Sequence, residues 1–80
     1  MDIKKYIIEY LQREYKIDDS VDIGKLNYLS SGYVNSIDLI KFFSELEEKF
    51  NFEFSEDDYN NPKIFIVEEL VRLINDKIKT

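Results

Sequence analysis

The sequence predicts an all-α domain, a small four-helix bundle with three longer helices, one short helix and a long first connection. Apolar residues recur at intervals of three and four in three separate segments, which is the period of a helix face and not of a strand. A run of turn-forming residues divides the first two segments, and Asn61-Pro62 breaks the chain before the last. The one alternating stretch, Phe50 to Phe54, has no second strand to pair with.

The first helix is expected over Asp2 to Tyr15, where Ile3, Tyr6, Ile7, Tyr10 and Leu11 form one stripe and Lys4, Lys5, Glu9, Gln12 and Arg13 face water. Lys16 to Ser31 shows no sustained period and is rich in Asp, Ser, Asn and Gly. Its Val21, Ile23, Leu26 and Leu29 are expected to tack this long loop onto the core. Asn35 or Ser36 caps the second helix, with Asp38 placed for a weaker form of a reciprocal capping box. In that helix Ile37, Ile40, Phe43, Leu46 and Phe50 recur at helical spacing, flanked by Leu39 and Phe42. Ser55 followed by three acids starts a short third helix that ends by Asn60. The fourth segment, Ile64 to Ile78, sets Val67, Leu70, Val71, Ile74 and Ile78 on one side. No repeat or linker divides residues 1–80, so a single domain is expected.

Eighty residues without cysteine or histidine bound the chemistry sharply. Disulfides, thiol nucleophiles, histidine bases and zinc sites built from those ligands are excluded. A chain this short hides only about 60 to 68% of its unfolded surface, so the core is small. The formal charge of −6 disfavours nucleic acid and anionic membranes. The apolar runs fall far short of a membrane span, and the start has no apolar signal core, so a cytoplasmic protein is expected. Between Ser36 and Asp58 the acids Asp38, Glu45, Glu47, Glu48, Glu53, Glu56, Asp57 and Asp58 face only Lys41 and Lys49, so the middle third carries the whole net charge.

Within this acidic region, Ser36 stands at a helix start. Four N–H groups lack partners there and an anion is welcome. A Ser or Asn at such a position also has a purely structural use as a cap. Capping needs only one of the two residues; with Asn35 serving, Ser36 is free to point outward.

The run Gly32-Tyr33-Val34-Asn35-Ser36-Ile37, then Leu39-Ile40, Phe43, Leu46-Glu47-Glu48-Lys49-Phe50 and Phe54-Ser55-Glu56-Asp57-Asp58, resembles the acyl carrier protein family. That family's attachment motif is Gly, two variable residues, Asp, Ser, then Leu, Ile or Met. The likeness covers essentially the whole chain and implies a bundle of acyl-carrier type. It implies that Ser36 is not a catalytic nucleophile but the attachment point of 4'-phosphopantetheine, taken from coenzyme A and transferred by a separate phosphopantetheinyl transferase. Asn35 would cap and position the helix start. The thiol this chain lacks would then sit at the tip of the arm and hold an acyl or aminoacyl group as a thioester. Further implied partners are a loading enzyme and a downstream transferase or synthase. The expected state is a monomer, with no nucleic acid or membrane partner.

The family usually has Asp before the serine; Asn35 can still cap but brings no charge to a magnesium ion or a transferase arginine. Lys41 and Ser44 stand where fatty-acid carriers typically have an acid and an apolar residue, which points to a dedicated pathway. The expected docking residues are Ile37 as apolar anchor with Asp38, Lys41, Glu45, Glu47, Glu48, Glu56 and Asp57, possessing a field that speeds encounter more than it adds affinity. Without the resemblance the same acids read equally well as a solvated face. Asp57 and Asp58 lack the oxygen-rich loop pattern of a calcium site. The phenylalanines, set in the most negative region, read as core rather than as a nucleic-acid stacking platform. Bulky Phe42 and Phe43 would crowd the space in which some carriers shelter a long acyl chain, which favours short acyl or aminoacyl cargo. The competing readings are an unmodified acidic adaptor that acts by binding, and an enzyme using clustered carboxylates, for which no pair has the apolar surroundings that would raise one pKa.

Overall fold

In the computed structural model of the chain, which describes residues 2–79, Asp2 opens the first helix by accepting the Lys5 N–H at 3.1 Å. This helix, α1, spans Ile3–Tyr15 and ends at Lys16, which adopts a left-handed conformation at φ 53°. The second, α2, spans Ser36–Phe50 and ends in the same manner at Asn51, φ 57°. A short α3, Glu56–Tyr59, and a final α4, Val67–Lys79, complete the four helices. Two 3-10 turns, Ile23–Lys25 and Pro62–Phe65, lie in the connections; neither has the period that announces a helix in sequence. The order of three longer helices and one short one is the order expected. No strand occurs among the described residues, and Asn27 and Ile66 form an isolated antiparallel bridge.

The core is built from Ile3, Ile7, Tyr10 and Leu11 of α1, Phe42, Phe43 and Leu46 of α2, and Val67, Leu70 and Ile74 of α4. The connections add Ile17, Ile23, Tyr28, Val34, Phe54 and Ile64, so the long loop belongs to the folded body. Aromatic rings make a column through it. Tyr10 stacks on Phe42 at 5.1 Å, Phe42 meets Phe43 at 5.7 Å, Phe43 meets Phe54 at 4.9 Å, and Phe54 meets Tyr59 at 5.6 Å. No helix of the described residues is long and apolar enough to cross a membrane.

Two expectations need correction. Ile37 and Ile40 share the spacing of the apolar stripe but lie outside the buried face of α2, being 79% and 70% exposed; for Ile37 this accords with the docking role expected of it. The buried face is Phe42, Phe43 and Leu46, with Leu39 and Phe50 half-buried beside them. The side bearing the larger aromatic area turns inward because it removes more surface from water. Ile78, the penultimate residue of α4, is 45% exposed, since little remains there to cover it. In the long loop the expected anchoring holds for Ile23, which is buried, and for Val21 and Leu26, which are half-buried against the core; Leu29 is half-buried, and Tyr28 and Ile17 are buried anchors not expected from the sequence.

Helix α3 buries no residue and is held by the Tyr59 ring against Phe43 and Phe54 and by polar contacts. Ser55 and Asp58 form a complete capping box: the Ser55 hydroxyl accepts the Asp58 N–H at 3.2 Å, and the Asp58 carboxylate accepts the Ser55 N–H at 2.7 Å. The same carboxylate meets Lys77 of α4 at 2.6 Å, with both side chains mostly covered. Burial opposes ionisation of Asp58, but hydrogen bonds from Lys77 and Ser55 outweigh it and hold the carboxyl below the usual carboxylate range. Replacing Lys77 by Met should therefore lower stability by about 1 to 3 kcal/mol at neutral pH. The sign with pH follows from linkage. Asp58 is more acidic folded than unfolded, so its contribution is complete above the unfolded value, about pH 4, and is lost as pH falls through the folded one. Thermal melts from pH 7 down to pH 2 should show wild type and K77M converging in acid. Asp18, also held low by hydrogen bonds from Ser20, gives both proteins the same acid dependence and cancels in the difference.

Candidate functional site

The approach to α2 is a tight turn built on its own backbone. Asn27 accepts the N–H groups of Leu29 and Ser30 through its side chain and that of Ser31 through its carbonyl. Gly32, at φ 85°, donates to Leu29 from the left-handed conformation that favours glycine. Val34 is buried and donates to the Tyr28 carbonyl at 3.1 Å, which closes the turn. Tyr33 beside it lies at the surface.

Asn35 follows in extended conformation and caps the helix. Its side-chain oxygen accepts the Asp38 N–H at 2.8 Å, and its carbonyl accepts the Leu39 N–H at 2.9 Å. Of the two residues able to cap, the structure uses Asn35. The reciprocal half of the box, from Asp38 back to Asn35, is not made. Ser36 is the first helical residue; its side chain is exposed, and its hydroxyl makes no hydrogen bond with any described residue. The N–H groups of Ser36 and Ile37 likewise find no acceptor among the described residues. An exposed hydroxyl beside two free N–H donors at the positive end of a fifteen-residue helix fits a phosphodiester linked to that oxygen.

The remaining candidate residues fall into two groups. Ile37, Lys41 and Glu48 are exposed on the outer face of α2, where Ile40 and Ser44 join them, and Glu56 and Asp57 are exposed in the first turn of α3. Asp38, Glu45 and Glu47 are half-buried. Glu47 accepts the Phe54 N–H at 2.8 Å and so helps to stop α2. Glu45 lies beside the α1 tyrosines: burial first, then the Glu45 charge, pushes the Tyr10 phenol up, and Tyr6 in the same direction. Asp38, after burial, does the same for Tyr15. Ile40 was absent from the docking residues read from sequence; its spacing of three from Ile37 was the available signal.

Among the described residues no cluster of three or more acidic side chains could hold a metal ion. A family model described as "Phosphopantetheine attachment site" matches residues 5–64, from within α1 to the turn before α4. No curated protein and no solved structure is significantly similar to the chain.

Proposed function

The chain belongs to the phosphopantetheine-attachment-site family, whose domain is the site of covalent 4'-phosphopantetheine attachment, and from that premise we propose that Ser36 is the attachment residue. On this reading the chain is a free-standing carrier of acyl or aminoacyl cargo that serves the enzymes of a dedicated biosynthetic pathway in the cytoplasm. The observation that carries it is the Ser36 hydroxyl itself, exposed and without a hydrogen bond to any described residue, at a helix start whose cap Asn35 already supplies.

When attached, the group supplies a terminal thiol able to hold cargo as a thioester. The chain's own residues have simpler tasks. Ser36 offers its oxygen, and the free N–H groups of Ser36 and Ile37 favour negative charge on a phosphate there. Asn35 holds the first turn in register. No ionisable side chain is hydrogen-bonded to the Ser36 hydroxyl among the described residues, so the transferase must bring the base that removes its proton. Tyr10, Phe42, Phe43 and Phe54 fill the interior beside α2, which supports short acyl or aminoacyl cargo over a long chain folded into the bundle. Incubation with coenzyme A and a broad-specificity phosphopantetheinyl transferase tests the proposal through the intact mass. A gain of one phosphopantetheinyl group supports it, and an unchanged mass with several transferases favours the unmodified adaptor.

Ile37 and Ile40 form an apolar step one turn long beside Ser36, with Lys41 and Ser44 continuing the same face. Neither isoleucine contributes to the core, so Ile37→Ser and Ile40→Ser should each change stability by less than about 0.5 kcal/mol. Each should raise the transferase KM about five- to tenfold, matching loss of an aliphatic contact of roughly 1 to 1.4 kcal/mol. Thermal melts and modification kinetics on the same samples check both halves.

A further inference from the structure

Tyr28 lies fully buried where the long loop, α2 and the α3–α4 connection meet. Its N–H donates to the Phe65 carbonyl at 3.1 Å, and its carbonyl accepts the Val34 N–H at 3.1 Å. Its phenol donates to the Ile64 carbonyl, 36 positions along the chain. The ring stands edge-on to Phe42 of α2 at 5.6 Å and to Phe65 at 6.4 Å. The neighbouring Asn27 bridges to Ile66, so two consecutive residues of the loop are fastened to the connection ahead of α4.

The Tyr28–Val34 bond closes the turn that ends immediately before Asn35. Whatever fixes Tyr28 therefore fixes the entry to Ser36. The Ile64 carbonyl belongs to the 3-10 turn Pro62–Phe65 that precedes α4 and accepts no backbone N–H from another element among the described residues. A phenylalanine would keep the ring volume and leave that carbonyl without its donor. Burial pushes the phenol's pKa far up, so it remains a donor throughout the neutral range.

We propose that Tyr28 is a positioning residue for modification of Ser36. Its phenol locks the α3–α4 connection to the turn entering α2, and so sets where Ser36 and the first turn of α2 stand relative to the acidic α3. The inference rests on Ser36 being the attachment residue. An enzyme that grips both helices meets a preorganised face in the wild type. In Y28F the competent arrangement is only fractionally populated, and apparent affinity falls by that fraction while chemistry in the bound complex is retained.

The test compares the full-length wild type, Y28F and Ile74→Val, the last trimming a buried α4 residue outside the lock. Each is modified with coenzyme A and a broad-specificity transferase. The expected result is a KM about three- to tenfold higher for Y28F with kcat within about twofold, and neither parameter moved beyond about twofold for I74V. Backbone hydrogen exchange on the wild type should show the Val34 N–H as protected as that of Leu46, with the Ser36 N–H exchanging fast. A Y28F KM within about twofold of wild type, an equal rise in I74V, or a Val34 N–H that exchanges as fast as Ser36's overturns the proposal. The exchange measurement decides if Y28F fails to fold. An unmodified wild type overturns the Ser36 reading and this inference with it, whereas a modified wild type with an insensitive Y28F overturns the inference alone.

Discussion

Replacing Ser36 by Ala will abolish transferase-dependent modification while leaving the protein folded. The hydroxyl lies outside the core and makes no hydrogen bond with a described residue, and alanine is a good helix former at an exposed position. Stability should therefore move by less than about 0.5 kcal/mol. Asn35→Ala supplies the contrast. It removes the acceptor of the Asp38 N–H and should lower stability by about 1 kcal/mol, yet leave Ser36 modifiable. Intact masses and melts of both variants separate an attachment role from a capping role. A stability loss in S36A well above that of N35A would make the serine mainly structural.

Replacing Phe42 by Ala will have the largest effect on the fold. Phe42 is fully buried and contacts the rings of Tyr10, Tyr28 and Phe43, so its removal opens a cavity at the junction of α1, α2 and the long loop. Such a truncation costs about 3 to 5 kcal/mol. An 80-residue domain has about 4 to 12 kcal/mol in all. The melting temperature should fall by at least about 12 °C, measured by circular dichroism. A fall below about 4 °C would show that the aromatic column is not a principal support.

The helices were legible in the sequence because local rules decide them. Spacing of three and four marked α1, α2 and α4, and Ser55 followed by three acids marked α3, where the structure shows a complete Ser55–Asp58 box. The choice of the buried face of α2 was not local. Ile37, Ile40, Phe43 and Leu46 share one spacing with Phe42 at its flank, and only packing against Tyr10 and Tyr28 settles that Phe42 turns inward with Phe43 and Leu46 while Ile37 and Ile40 turn out. Ile23 was readable as an anchor of the long loop, but Tyr28 was hidden for the same reason. Tyr28 has no periodic neighbour, and its phenol partner Ile64 is remote in sequence. Around the candidate site, capping rules alone made Asn35 and Ser36 readable as a helix start with one residue to spare, and only the resemblance of the run Gly32 to Ile37 to a carrier motif pointed to Ser36 for attachment. What sequence did not disclose was how the entry turn is held, which depends on Val34, Tyr28 and the α3–α4 connection together.

The most direct measurement is fragment-ion mass spectrometry of the full chain after incubation with coenzyme A and a broad-specificity transferase. Attachment at Ser36 predicts that the entire mass gain falls on fragments containing that residue. A gain on Ser30, Ser31, Ser44 or Ser55 instead, or a chain that stays unmodified, would contradict it.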